Sequence, residues 1–215
     1  MRWRILLPVS GFLAAAAAVL GLGIADHMAR ALDASLPAQA DISPAPGDVA
    51  IGSADAPVTV LALVSLTCVH CRLWEEQEMP LLVSGPVAGG TVRLVIRAFP
   101  LDRAALDGAA LVSCLPDGER AAAQALLMSA QATWPGRGAA TVAAAAGLSG
   151  DRARDATACA GSPGRQAAIA GVAQAAHDQW GIAGTPSFVV GRRVVTGALS
   201  AARIAALAAD AAAGR

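Results

Sequence analysis

Apolar runs alternate with polar punctuation through the middle of this chain, and each predicts an element. Val58-Thr59-Val60-Leu61-Ala62-Leu63-Val64 is apolar and partly β-branched, the pattern of a buried strand. Arg72 to Leu82 is rich in helix formers. With Cys68-Val69-His70-Cys71 at its start, this stretch predicts a helix that Thr67 caps and that Pro80 kinks or ends. Thr91 to Phe99 alternates well enough to be a second strand. Strand, helix and strand in that order predict a parallel crossover unit.

From Leu101 to about Ser162 the pattern changes to alanine-rich segments cut by Pro116-Asp117-Gly118, Pro135-Gly136 and Gly147 to Gly150. Three or four short helices are expected there, as a helical insertion over about 101–162. Ser162-Pro163 then starts a longer helix, with Ser as cap and Pro in the first turn. Its apolar face carries Ile169, Val172, Ala173, Ala176 and Trp180, and Gly181 ends it. Ser187 to Val190 and Arg193 to Thr196 read as a hairpin turned at Gly191-Arg192. Ser200 caps a final amphipathic helix to about Ala213.

The N-terminus follows another pattern. Arg2 and Arg4 precede an almost wholly apolar stretch, Ile5 to Ile24. Residues 1–25 are read either as an export signal cleaved before Asp26 or as an uncleaved membrane anchor, since about 20 apolar residues span a bilayer. Both readings put the body outside the cytoplasm, where cysteine pairs persist. Residues 26–50 carry Pro37, Pro44, Pro46 and Gly47 and read as a flexible linker, with the folded domain over 51–213.

The chain has 215 residues, 16 basic and 16 acidic, and a net charge of zero, which argues against a nucleic-acid partner. Its aromatics are three Phe and four Trp, so the core is expected to be mainly Val, Leu, Ile and Ala, with Trp134 and Trp180 packed in it.

The chemistry lies in the four cysteines. Cys68 and Cys71 stand three positions apart at a strand-to-helix junction. There the helix dipole and free backbone N–H groups favour a thiolate. Cys68, at the helix end, is the expected attacking thiol, and Cys71, one turn in, the resolving thiol. His70 between them stabilises the Cys68 thiolate if protonated; otherwise it is a solvated side chain. A zinc site wants four ligands in close pairs. Cys114 and Cys159 stand alone in sequence, so no metal or organic cofactor is expected. With Cys68 and Cys71 paired by proximity, the simplest remaining pair is a structural Cys114–Cys159 disulfide, against two free buried thiols. Glu75 and Glu76 read as solvated helix charges, with a water-mediated route to Cys71 as the alternative. His177 is assigned no role.

A second signal is Gly184-Thr185-Pro186-Ser187-Phe188 before a strand. Proline at the head of a central strand fits best with a cis peptide bond. Thr185 would then face an extended substrate by strand addition.

Ala56-Pro57-Val58, Leu66 to Cys71, Arg97-Ala98-Phe99-Pro100-Leu101 and Gly184 to Phe188 together resemble the DsbA-like branch of the thioredoxin superfamily, over roughly Ile51 to Ala213. The resemblance implies an α/β thioredoxin fold with an inserted all-helical domain. It implies thiol:disulfide exchange in the bacterial periplasm, with Cys68 as nucleophile, Cys71 as resolving cysteine and Pro186 as the cis-proline opposite them. Cysteine-containing protein substrates and a membrane redox partner follow from the same resemblance. The chain departs from that branch in having Val69 after the first cysteine. It also has Ala62, Leu63 and Val64 where an acidic residue and aromatics are usual. The activity expected is disulfide donation. The alternatives are a reductase or isomerase using the same dithiol, or a non-catalytic metal-binding module.

Overall fold

The computed structural model describes residues 33–35 and 42–214. The expected signal or anchor at 1–25 lies outside the described residues. A three-residue strand, β1, occupies Asp33–Ser35. The body, from residue 35 onward, is built on strands β2 (Val49–Ile51), β3 (Val58–Val64), β4 (Val92–Ala98), β5 (Ser187–Val190) and β6 (Arg193–Thr196). Their order across the sheet is β6-β5-β3-β4-β2.

The central strand β3 is parallel to β4, from Val58 opposite Val92 to Val64 opposite Ala98, and antiparallel to β5, with Leu63 opposite Ser187. The expected parallel crossover is therefore present. It is made by α1 (Val69–Gln77), α2 (Met79–Leu82) and one π-helical turn (Val83–Val87). The single helix expected to run to Leu82 is broken at Glu78. Pro80 lies in the first turn of α2, where its missing N–H costs nothing.

Because successive side chains of a strand face opposite ways, β3 feeds two cores. Val60, Ala62 and Val64 join Trp74, Leu94, Ile96, Phe188, Ile204 and Leu207 on one face. Leu61 and Leu63 join Val95, Phe99, Val189, Ala176 and Trp180 on the other. A strand covered on both sides has no polar alternation, which is why β3 reads as a continuous apolar run.

Between β4 and β5 come α3 (Arg103–Ser113), α4 (Asp117–Ser129), α5 (Ala139–Ala145), α6 (Gly150–Ala160) and α7 (Pro163–Trp180). Ser162 caps α7 by accepting from Arg165 N–H, and Gly181 ends it in the left-handed conformation at φ 67°. Ser200 caps α8 (Ala201–Ala212) by accepting from Arg203 N–H. Gly108 lets α3 approach the site: a Cβ there would lie 2.9 Å from Leu66 Cδ1 and 3.1 Å from the Trp134 ring. Among the described residues no helix is long and apolar enough to cross a membrane.

The body begins earlier than the sequence predicts. Residues 42–50 were expected to be linker, yet β2 pairs antiparallel with β4, Val49 opposite Ile96, and Val49 is buried. Arg97 donates through Nε and Nη2 to the two Asp48 carboxylate oxygens at 2.9 and 2.7 Å, and again to the Ser43 carbonyl at 2.6 Å. The reason is tertiary. The proline-rich stretch is anchored by an ion pair to a partner 49 residues away, which no local pattern reveals.

Candidate active site

The site forms where β3 stops and α1 starts. Cys68 occupies the N-cap position of α1 with extended backbone, φ −82° and ψ 118°, and its N–H donates to the Ser65 carbonyl at 3.1 Å. An N-cap residue precedes the first free helical N–H groups, so the sulfur sits against the positive end of α1. Thr67 does not cap the helix as expected. Its hydroxyl donates to Asp102 Oδ2 at 2.7 Å, and no side chain caps α1. Asp102, the N-cap of α3, draws Thr67 toward the start of the insertion.

Opposite lies the loop into β5. The Thr185–Pro186 peptide is cis, and Pro186 is buried. The register of β5 against β3 puts Ser187 beside Leu63, so Pro186 faces the strand end that carries the motif. Cys68 Sγ donates to the Thr185 carbonyl oxygen at 3.4 Å. Three expected site residues, Cys68, Thr185 and Pro186, are therefore brought together from 117 positions apart.

The two thiols are both free and chemically unequal. Cys68 is half-buried, and Val69 and His70 beside it are exposed. Partial burial opposes ionisation of Cys68. The nearby Thr185 side chain, Cys71 and the His70 backbone outweigh it and hold the thiol below its ordinary value. Cys71 is fully buried. Loss of solvent, and the charge and hydrogen bonding of Cys68, push its pKa up to about 12 against weaker opposing bonds from Thr185 and Ser65. One thiol is thus partly exposed and ionises more easily than an ordinary thiol, and the other is buried and held protonated.

Glu75 lies one turn beyond Cys71 on the same face of α1. It is not the solvated charge the sequence suggests. Only 6% of it is exposed, and Oε2 accepts from Gln124 Nε2 of α4 at 3.1 Å. Desolvation pushes its pKa up to about 7. The Gln124 bond opposes that rise and the neighbouring Glu76 charge adds to it. Glu76 does face solvent, where it pairs with Arg72 at 3.0 Å. The packing of α4 over α1 buries Glu75, and Gln124 is 49 residues away, so the sequence pattern carries no sign of either.

Cys114 and Cys159 are disulfide-bonded, with S–S 2.00 Å and Cα–Cα 6.1 Å, linking the end of α3 to α6. Trp134 is fully buried, and its Nε1 donates to the Leu127 carbonyl at 2.8 Å. Trp180 packs with the second core. Trp74 and Phe188 meet edge-on at 5.1 Å within the first core. His177 Nδ1 is bonded to the Ile182 carbonyl at 2.8 Å. Among the described residues no group of three or more His, Cys, Asp or Glu side chains is arranged to hold a metal.

The Thioredoxin_4 family model, described as thioredoxin, matches residues 44–209. The structure is similar to that of Wolbachia pipientis alpha-DsbA1, at TM-score 0.68 and 20% identity, over 80% of this chain and 94% of that one. It is similar to a thioredoxin-like oxidoreductase from Silicibacter pomeroyi DSS-3, at TM-score 0.64 and 26% identity, over 79% and 94%. It is also similar to oxidised BdbD from Bacillus subtilis, at TM-score 0.70 and 14% identity, over 84% and 99%. No curated protein matches. With a family match spanning most of the body, and a cysteine pair at the strand-to-helix junction facing a cis-proline, the chain belongs to the thioredoxin family and has a DsbA-like fold with a helical insertion.

Proposed function

We propose that the protein is an exported thiol:disulfide oxidoreductase that donates disulfides to cysteine-containing proteins through Cys68 and Cys71. The observation that carries this reading is the inequality of the two thiols: Cys68 is held below its ordinary pKa while Cys71 is pushed up to about 12. A low-pKa thiol is a good leaving group and a stable product of reduction, the property of a disulfide donor. The similarity to a DsbA1 and to a thioredoxin-like oxidoreductase agrees with it.

In the oxidised motif a substrate thiolate attacks Cys68 Sγ. The Cys68–Cys71 bond breaks, and the pair of electrons leaves with Cys71, which takes a proton from Glu75. A second substrate thiolate then attacks the substrate sulfur of the mixed disulfide and releases Cys68 as thiolate. Two electrons have passed from the substrate dithiol to the motif. The Thr185 carbonyl, which accepts from Cys68 in the dithiol, is placed beside Pro186 to pair with an extended substrate backbone. His70, when protonated, adds positive charge at the Cys68 sulfur. Glu75, on the same buried face as Cys71, is the carboxyl group that exchanges its proton. The Cys114–Cys159 bond is structural. No cofactor takes part, and a membrane redox partner in the periplasm restores the disulfide. Residues 1–25 act in export or anchoring.

Oxidised protein added to a reduced, unfolded disulfide-containing substrate tests this. Substrate disulfides should form at the expense of the motif, Cys68→Ser should abolish the transfer, and Cys71→Ser should accumulate the mixed disulfide. Stoichiometric metal binding through Cys68 with no transfer would overturn the reading. Transfer only in the reverse direction would assign the reductase or isomerase role.

A further inference from the structure

The motif is gripped from behind by the helical insertion. Gln131 stands in the turn that follows α4, and its Nε2 donates to the Leu66 carbonyl at 2.9 Å and to the Cys68 carbonyl at 3.1 Å. Met128 Sδ lies 3.5 Å from the same nitrogen. Two carbonyl oxygens face this amide, so only its NH2 end fits there. Its Oε1 is buried with no hydrogen-bond partner among the described residues. Leaving that acceptor unpaired is unfavourable, and the two bonds to the motif backbone offset it.

The start of α1 has few other restraints. No side chain caps it, and the Cys68 side chain bonds across to the Thr185 carbonyl instead. The Cys68 carbonyl receives the first bond of the helix, from Arg72 N–H at 3.1 Å, and Gln131 shares that oxygen. The N–H groups of the same turn, including that of His70, stabilise the Cys68 anion. Their aim depends on how the peptide planes at Leu66 and Cys68 are held.

We infer that Gln131 is a positioning residue for the redox motif: by fixing the carbonyls of Leu66 and Cys68 it aims the first-turn N–H groups at the Cys68 sulfur and sets how readily that sulfur ionises. The inference rests on Cys68 being the exchanging thiol. It makes the insertion part of the redox machinery. Gln131 reaches the motif across 63 positions of sequence.

The test compares the full-length protein with Gln131→Glu and Gln131→Met, and with Thr133→Ala as a control in the same turn. Thr133 is exposed and bonds only locally, to the Ala130 carbonyl. Thiolate ultraviolet absorbance is followed against pH in the dithiol form. Cys114 and Cys159 are bonded and Cys71 titrates only at about 12, so the thiolate signal that appears first as pH rises belongs to Cys68. Gln131→Met should shift the midpoint upward by about threefold to tenfold in proton affinity, the value of one or two ordinary hydrogen bonds. Gln131→Glu should shift it further, because a carboxylate turned on two carbonyls repels them. The glutathione equilibrium should move by the same factor toward the motif disulfide, and Thr133→Ala should match wild type. If Gln131→Glu does not fold, Gln131→Met is read alone, and Gln131→Asn, shortened by one methylene, stands in for Gln131→Met on the same grounds. Variants that lose thermal stability while titrating at the wild-type midpoint would overturn the inference and leave Gln131 a packing residue. A wild-type midpoint equal to that of an unfolded thiol would instead sink the exchange reading, and the difference between wild type and variants would still judge the clamp.

Discussion

Glu75 gives up its solvent on folding and takes a hydrogen bond from Gln124 in exchange. Its carboxyl titrates near 4.5 when unfolded and at about 7 when folded. Between those values the folded chain holds a proton that the unfolded chain has released. Stability must therefore fall as pH rises through that window and level off above it. The sign is opposite to that of a salt-bridged carboxylate. The whole effect amounts to roughly 3 kcal/mol. Glu75→Gln keeps the shape and an acceptor for Gln124 while removing the charge. Urea unfolding should show wild type losing stability between about pH 5 and about pH 8, with Glu75→Gln nearly flat and the more stable of the two at the upper end. A wild-type profile that rises over the same interval would mean Glu75 is solvated after all. In exchange assays the same variant should slow the protonation of departing Cys71 by about a hundredfold, the usual lower range for losing a positioned acid.

At the scale of elements, the legible parts were those whose causes are local. Ser162, Pro163 and Gly181 bracket α7, and Ser200 starts α8, because caps act within one turn. The β5–β6 hairpin falls where Gly191-Arg192 predicts it, Gly191 having φ 58°. The cysteine pair and Pro186 were legible because their neighbours, an apolar run and helix formers, announce the junction. Thr67 misled because the helix starts one residue later, with Cys68 at the N-cap, and the Thr67 hydroxyl is turned to donate to Asp102. Glu75 with Gln124, Gln131 with Cys68, and Arg97 with Asp48 were invisible, since each joins elements 49 to 63 positions apart. The last pair yields an expectation. Asp48→Ala would leave the Arg97 guanidinium buried without its counter-charge, at a cost of about 3–5 kcal/mol. Thermal denaturation should register this as a large fall in midpoint. A truncation beginning at Ile51 should behave alike, because it removes Val49 and Ala50 of β2 as well as Asp48. The disulfide between α3 and α6 acts differently. It closes a sequence separation of 45, worth about 4 kcal/mol in chain entropy. Cys114→Ser with Cys159→Ser should lower the unfolding midpoint in denaturant and leave the Cys68 alkylation rate unchanged.

Over the whole molecule, the sheet, the insertion and α1 converge on a single asymmetry, and that asymmetry bears on the redox potential of the motif. Thr185, Cys71 and His70 stabilise the Cys68 anion. In the Cys68–Cys71 disulfide there is no anion for them to stabilise. Every such contact therefore lowers the free energy of the dithiol relative to the disulfide, and the motif becomes a stronger oxidant. The buried thiol does not cancel this, because Cys71 stays protonated at neutral pH and so has no thiolate to be penalised. Equilibration with glutathione should accordingly place the protein above the thioredoxin potential of about −270 mV, on the oxidising side of glutaredoxins at about −200 to −230 mV. Each tenfold change in the equilibrium constant moves a two-electron couple by about 30 mV. The potential should depend on pH through Glu75 as well, flattening in Glu75→Gln. A measured value at or below that of thioredoxin would mean that contacts to the disulfide outweigh those to the thiolate, and that the protein runs as a reductase on the same two sulfurs.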